Sequence, residues 1–217
     1  MTNTVIESEK KRFKVGFIGV AGAGKSTVAQ ASQVGMGSHS CITAVCPEYA
    51  REFITKHGQP EHIAIQNSIL WKQIRREDTL AQSCDILFCD SPVYLCHIYG
   101  LLMLNPLSRQ QTKISRNLYM WAVLDQLSRY DIMFYLPKQF EVIDDNVRDP
   151  GFTQVAEDAI TGFLSAHKHL FPNYYEIRSE FTDPQEILHD RVKQVKKVVN
   201  SHIKKSVNQP MELSTVL

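Results

Sequence analysis

The chain has 217 residues, 43% hydrophobic and 22% charged, with 24 Lys and Arg against 23 Asp and Glu. That length and balance suit one globular domain with a sizeable core, and exclude a disordered chain or a uniformly basic nucleic-acid coat. Five cysteines, Cys41, Cys46, Cys84, Cys89 and Cys96, form no C-x-x-C pair and sit mostly in apolar runs, which predicts reduced thiols in a cytoplasmic setting.

Residues 1–12 are polar and are expected to form a flexible lead-in without an apolar targeting segment. The longest apolar stretch, 93–104, is interrupted by His97 and falls short of a membrane span. One domain is expected over 13–205, with a tail at 206–217.

Short β-rich runs at 14–18, 42–45, 86–89, 132–136 and 174–177 alternate with longer helical patterns. Those patterns begin at Gly24 and near Pro47, and span 61–83, 91–104 and 108–129. The alternation predicts an α/β fold, a five-stranded parallel sheet flanked by helices. Thr182-Asp183-Pro184 signals a cap and a first helical turn, followed by Leu188, Val192, Val195, Val199 and Ile203 at three-to-four spacing.

The strongest chemical signal is Gly19-Val20-Ala21-Gly22-Ala23-Gly24-Lys25-Ser26, which fits G-x-x-x-x-G-K-[ST] directly after the apolar run Val15-Gly16-Phe17-Ile18. A random chain of this length matches that pattern roughly once in a hundred, and the strand before it lowers the odds further. Glycines at 19, 22 and 24, with Ala23 between, let backbone amides turn toward phosphate oxygens while the helix N-terminus adds its dipole. Lys25 supplies a full positive charge, Ser26 a hydroxyl for Mg²⁺, and Thr27 caps or packs behind it.

The second run ends in Glu48-Tyr49-Ala50-Arg51-Glu52-Phe53, at the carboxyl end of a strand where ligands of open sheets bind. Glu48 and Arg51 share a helix face: either the acid contacts magnesium water or acceptor hydroxyls, as a base alternative to Asp90, and the arginine contacts substrate, or the two are a surface ion pair. The third run ends in Asp90-Ser91-Pro92. An acid closing an apolar strand is the Walker B arrangement, which reaches magnesium through water or takes a hydroxyl proton; an N-cap before Pro92 is the structural alternative.

The charged stretch Asp144-Asp145-Asn146-Val147-Arg148-Asp149 is expected to be a lid at about 141–152. Arg148 would cover the transferring phosphoryl and help exclude water. His167 and His169, two apart, do not share a helix face and are expected to be exposed. The last helix carries Arg191, Lys193, Lys196, Lys197, Lys204 and Lys205, read as a solvated face or a track for a nucleic-acid backbone.

Together these residues resemble the P-loop kinases found as the ribosylnicotinamide kinase domain of NadR-type proteins and their stand-alone relatives, including bacteriophage 5-hydroxymethyluracil DNA kinases. The resemblance spans roughly 14–199. It rests on the phosphate loop, Glu48-Tyr49-Ala50-Arg51-Glu52-Phe53, Asp90, and Val142-Ile143-Asp144-Asp145-Asn146-Val147-Arg148. It implies a three-layer nucleoside and nucleotide kinase-like sandwich, ATP and Mg²⁺, and phosphoryl transfer to a hydroxyl. Lys25, Ser26, Asp90, Glu48 and Arg148 inherit the site roles by position.

Family members often read Asp-Thr-Asp where this chain has Asp90-Ser91-Pro92, which is loosely similar to the Asp-Arg-Ser-Pro of nucleoside and thymidylate kinases. The leading expectation is therefore a kinase for a nucleoside-class acceptor, free or as a hydroxymethylated base within DNA. Nicotinamide riboside is the alternative acceptor, and a regulatory P-loop ATPase or nucleotide switch the alternative class.

Overall fold

Strand-forming residues that must be buried on both faces dictate the centre of the fold. Val15, Phe17, Ile18, Ile86, Leu87, Phe88, Ile132, Met133 and Phe134 are almost wholly removed from water, as in a parallel sheet covered on both faces. The computed structural model describes residues 12–38, 41–60, 63–102, 128–139 and 150–208.

Five strands, β1 (Phe13–Ile18), β2 (Thr43–Cys46), β3 (Ile86–Cys89), β4 (Ile132–Tyr135) and β5 (Tyr174–Glu176), form one sheet in the order β2-β3-β1-β4-β5. Every pairing described among these strands is parallel. The strand ends lie within a residue of the expected runs.

The helices are α1 (Lys25–Val34), α2 (Tyr49–His57), α3 (Ile63–Ala81), α4 (Val93–Leu102), α5 (Pro150–His167) and α6 (Pro184–Asn208). α1 packs with α6, and α3 packs with α4, which in turn meets α5. The expected helix at 108–129 lies outside the described residues except at Ser128 and Arg129, which form a turn and a bend. The lid at 141–152 is described only from Pro150, where α5 begins.

Period-two alternation aligns an aromatic row across the sheet. Phe17 stacks on Phe88 at 6.1 Å and on Phe134 at 5.6 Å, and Phe134 meets Tyr175 at 5.8 Å. Tyr175 meets His202 of α6, its hydroxyl 2.9 Å from Nε2. A second cluster of Tyr94, Tyr130, Phe163 and Phe171 joins α4, α5 and the strand ends.

α6 differs from the expected pattern. Its fully buried stripe is Ile187, Arg191, Val195 and Val199, whereas Leu188, Val192 and Ile203 are partly buried. Arg191 therefore belongs to the interior and not to a solvated basic face. Asp183 Oδ1 accepts from Gln185 N at 2.9 Å and Glu186 N at 3.0 Å, the N-cap that the sequence signalled. With no Gly or Pro before Pro210 to stop it, the helix continues to Asn208, beyond the expected start of the tail.

Among the described residues no helix is long and apolar enough to cross a membrane. The five cysteines are free thiols, four of them buried, and burial pushes Cys46 up to about 12. His167 is half-buried, stacked on Phe163 with Nδ1 2.9 Å from the Phe163 carbonyl. This corrects the expected exposure: spacing by two forbids a shared face, but it does not forbid one imidazole from packing.

His97 of α4 is buried, and burial with the nearby His167 lowers its pKa from 6.5 to about 4. Between those values the unfolded chain binds a proton that the folded chain does not, so this stability is present above pH 6.5 and lost as pH falls toward 4. Denaturation from pH 7 to 4 is expected to show His97→Gln losing about 1–3 kcal/mol less stability than the parent over that window.

Candidate phosphate-binding site

β1 enters the phosphate loop from the middle of the sheet. Its partners on the two sides, β3 and β4, leave the same edge, so three chain segments converge at the carboxyl ends of the strands. Gly24, at φ 85°, is the N-cap of α1, a left-handed conformation suited to glycine. At Gly19 the constraint is proximity: a Cβ there would lie 2.5 Å from the Leu136 carbonyl oxygen.

The Lys25 ammonium lies within the loop, donating to the carbonyls of Gly19 at 2.9 Å and Val20 at 2.8 Å. A cleft of about 280 Å³ opens over the loop, lined by Gly22, Gly24, Lys25, Ser26, Thr27 and Arg51, with Pro184 and Leu188 of α6. A larger cleft, about 360 Å³, lies at the opposite ends of the strands around Lys14, Asp78, Arg129 and Asp131. It belongs to an ion-pair cluster in which Lys14 and Arg129 both bind Asp78.

Glu48 is the N-cap residue of α2, and its Oε2 lies 3.7 Å from Arg51 Nε. The two form the i, i+3 pair that the spacing allows, and Arg51 carries it to the wall of the cleft. Lys56 and Arg76 both bind Glu52, which leaves that acid in a surface network.

Asp90 follows β3, whose Cys89 pairs with Gly16 of β1. The side chain is buried, and its Oδ1 has no hydrogen-bond partner among the described residues. It is not the cap of α4: the Val93 amide donates instead to the Tyr130 hydroxyl at 2.8 Å. A buried carboxylate oxygen without a partner is costly, and it fits a site whose metal water or hydroxyl arrives with the ligands. Ser26, half-buried in the cleft wall, carries a second oxygen suited to Mg²⁺, which uses few protein ligands together with phosphate. Arg148 lies outside the described residues.

Sequence reasoning missed two residues. Tyr99 of α4, half-buried, meets the Ala21 backbone in the loop, and burial with the Glu48 charge raises its pKa. Arg191 donates to the carbonyl of Ala23, the carbonyl of Pro137 and Gln139 Oε1, each at 2.7 Å. Gln139 in turn exchanges hydrogen bonds with the backbone of Ser179. One guanidinium thus ties the phosphate loop to the exits of β4 and β5; burial lowers its pKa to about 10, leaving it charged at neutral pH.

The sequence profile of a family described as AAA domain matches residues 14–177. No curated protein sequence matches the chain. Among solved structures, NadR in complex with NR is similar at a TM-score of 0.69 and 16% identity, over 93% of this chain and 52% of that one; the chain thus spans about half of NadR. A deoxyadenosine kinase from M. mycoides, with dCMP and dCDP as products, is similar at a TM-score of 0.58 and 15% identity, over 88% of this chain and 100% of that one. A thymidylate kinase from Ehrlichia chaffeensis gives 0.54 and 14%, over 87% and 99%. These likenesses establish a P-loop kinase-like fold.

Arg191→Met removes three charge-assisted bonds and leaves buried carbonyl oxygens unpaired. Urea denaturation is expected to show a loss of about 2–5 kcal/mol, and nucleotide titration a weaker complex, because the Ala23 carbonyl is no longer held.

Proposed function

The chain belongs to the AAA-domain family, and we propose that it is an ATP- and magnesium-dependent kinase that transfers the γ-phosphoryl group to a hydroxyl of a nucleoside-class acceptor. The observation that carries this reading is the buried, unpartnered Asp90 oxygen on the strand beside a complete phosphate loop. The nucleoside class is supported by fold neighbours that bind NR or deoxynucleotides.

The loop amides, the α1 N-terminus and Lys25 hold the β- and γ-phosphates. Pro184 and Leu188 offer an apolar wall to the base of the nucleotide. Ser26, with Asp90 through water, would hold Mg²⁺, which when bound neutralises charge on the phosphoryl oxygens. Asp90 takes the hydroxyl proton as the acceptor oxygen bonds to phosphorus and the bond to the β-phosphate oxygen breaks, releasing ADP. Glu48 and Arg51 orient the acceptor, and Arg148, outside the described residues, would keep the charge-neutralising role expected from its sequence position.

Two narrower acceptors have specific support. The NadR complex favours nicotinamide riboside. The exposed Lys193, Lys197, Lys204 and Lys205 of α6 favour a hydroxymethylated base within DNA; Arg191 is interior, and Lys196 lies across Gly35 at the end of α1.

Incubation with γ-labelled ATP and nucleosides, nucleotides, nicotinamide riboside and hydroxymethyluracil-containing DNA is expected to label one acceptor class. Label released only as free phosphate would support the switch reading instead. A DNA acceptor predicts binding that weakens steeply with salt. Lys25→Ala is expected to lose transfer while circular dichroism reports an intact fold. Asp90→Asn is expected to lower turnover by about 10²–10⁴ with ATP affinity little changed.

A further inference from the structure

The two acids on the acceptor side, Glu48 and Asp90, precede different helices on different strands, yet both segments are anchored on one buried side chain. Glu77, in the C-terminal part of α3, is fully buried. Its Oε1 accepts from the Tyr130 hydroxyl at 2.9 Å and from Gln73 Nε2 at 3.3 Å, and its Oε2 accepts from Arg129 Nε at 2.8 Å.

Each of the first two partners reaches onward to a helix start. Gln73 Oε1 accepts from the amide of Tyr49, the residue after Glu48, at 2.9 Å. Tyr130 Oη accepts from the amide of Val93, three residues after Asp90. Tyr49 and Val93 open α2 and α4, so their amides are among the first-turn donors that a helix cannot satisfy internally.

We propose that Glu77 is a positioning residue whose carboxylate sets the direction of the Gln73 relay, and so fixes the Glu48 segment, while it anchors the Tyr130 hydroxyl that holds the start of α4 after Asp90. The catalytic consequence rests on the kinase reading above; the relay itself does not.

The argument is one of polarity. An ionised carboxylate only accepts. Gln73 must therefore turn its NH₂ toward Glu77, which leaves its carbonyl oxygen for Tyr49. Tyr130 must donate to Glu77, which leaves its oxygen for Val93. Arg129 supports the ionised form against the upward push of burial on the Glu77 carboxyl. An apolar residue at 77 would avoid that cost but would leave the Gln73 amide and the Tyr130 hydroxyl proton without their buried acceptor.

Glu77→Gln keeps the shape and changes the polarity. Arg129 claims the new carbonyl oxygen, so the new NH₂ faces Gln73 and Tyr130. Gln73 must then turn its oxygen toward residue 77 and its NH₂ toward the Tyr49 amide, where two donors oppose each other. The Tyr130 oxygen still receives Val93. The double variant Gln73→Glu/Glu77→Gln restores an acceptor for Tyr49.

Amide hydrogen exchange is expected to show Tyr49 losing protection by about tenfold or more in Glu77→Gln, with Val93 retained and Tyr49 recovering in the double variant. Steady-state kinetics are expected to show kcat/KM for the acceptor falling about tenfold to a hundredfold, with KM for ATP within about twofold, and partial recovery in the double variant. If Glu77→Gln does not fold, Gln73→Met removes the same Tyr49 acceptor and is expected to give the same split.

Unchanged Tyr49 protection, or equal losses in ATP and acceptor parameters, would overturn the proposal. If the parent protein transfers to no acceptor, the kinase reading fails while exchange still decides the relay.

Discussion

The pairing of β1 with β3, in the register Gly16 opposite Cys89, is the constraint on which the site depends. Parallel strands that are direct neighbours end at the same edge, about 4.8 Å apart, so the phosphate loop leaving β1 and Asp90 leaving β3 emerge side by side. The other flank is fixed by contact, since Gly19 lies too close to the Leu136 carbonyl for any larger residue. The loop is thereby confined between the exits of two strands. The aromatic row of Phe88, Phe17 and Phe134 holds the same three strands together beneath it.

Confinement by strands ends where the ladder ends. The ladder runs one residue past the strands, where the amides of Asp90, Leu136 and Ile177 still donate to Cys46, Ile18 and Tyr135, and the segments from there on carry the candidate functional groups. The structure supplies partners there from buried ions. Arg191, a cation, gathers carbonyls from the phosphate loop and the β4 exit. Glu77, an anion, gathers donors whose far ends hold the amides of Tyr49 and Val93. A charge taken out of water is tolerated where several partners surround it, and each of these has at least three.

This division also explains what was legible in the amino-acid order. The strands, the phosphate loop, Asp90 at a strand end and the Asp183 cap follow from rules acting over a few residues: period, glycine spacing, side-chain-to-amide reach. Arg191 and Glu77 bind groups far along the chain, and their partners include backbone carbonyls and amides, which carry no residue-specific signature. Arg191 was counted as a surface charge because it lies among lysines. Its place in the i, i+4 series Ile187, Arg191, Val195, Val199 was the available signal, and the neighbouring series of Leu188 and Val192 obscured it. Tyr99 was hidden in an apolar run, where an aromatic residue reads as core.

The near balance of 24 basic and 23 acidic residues therefore describes an average over groups in different surroundings. Arg191 is withdrawn into the interior, and Lys196 complements the C-terminal end of α1, where a cation meets the negative end of the helix dipole. What remains on the outer face of α6 is a smaller set of lysines, screened by salt over about 10 Å. Such a set contributes encounter with an anionic polymer more than it contributes selection among hydroxyls. On the proposed kinase reading, selection falls to the sheet edge where Glu48, Arg51 and Asp90 are placed by α2, β3 and the hydrogen bonds from α3. The cation on the α6 side and the anion within α3 thus order different segments, the phosphate loop with the β4 exit and the starts of α2 and α4, and the sheet edge lies between them.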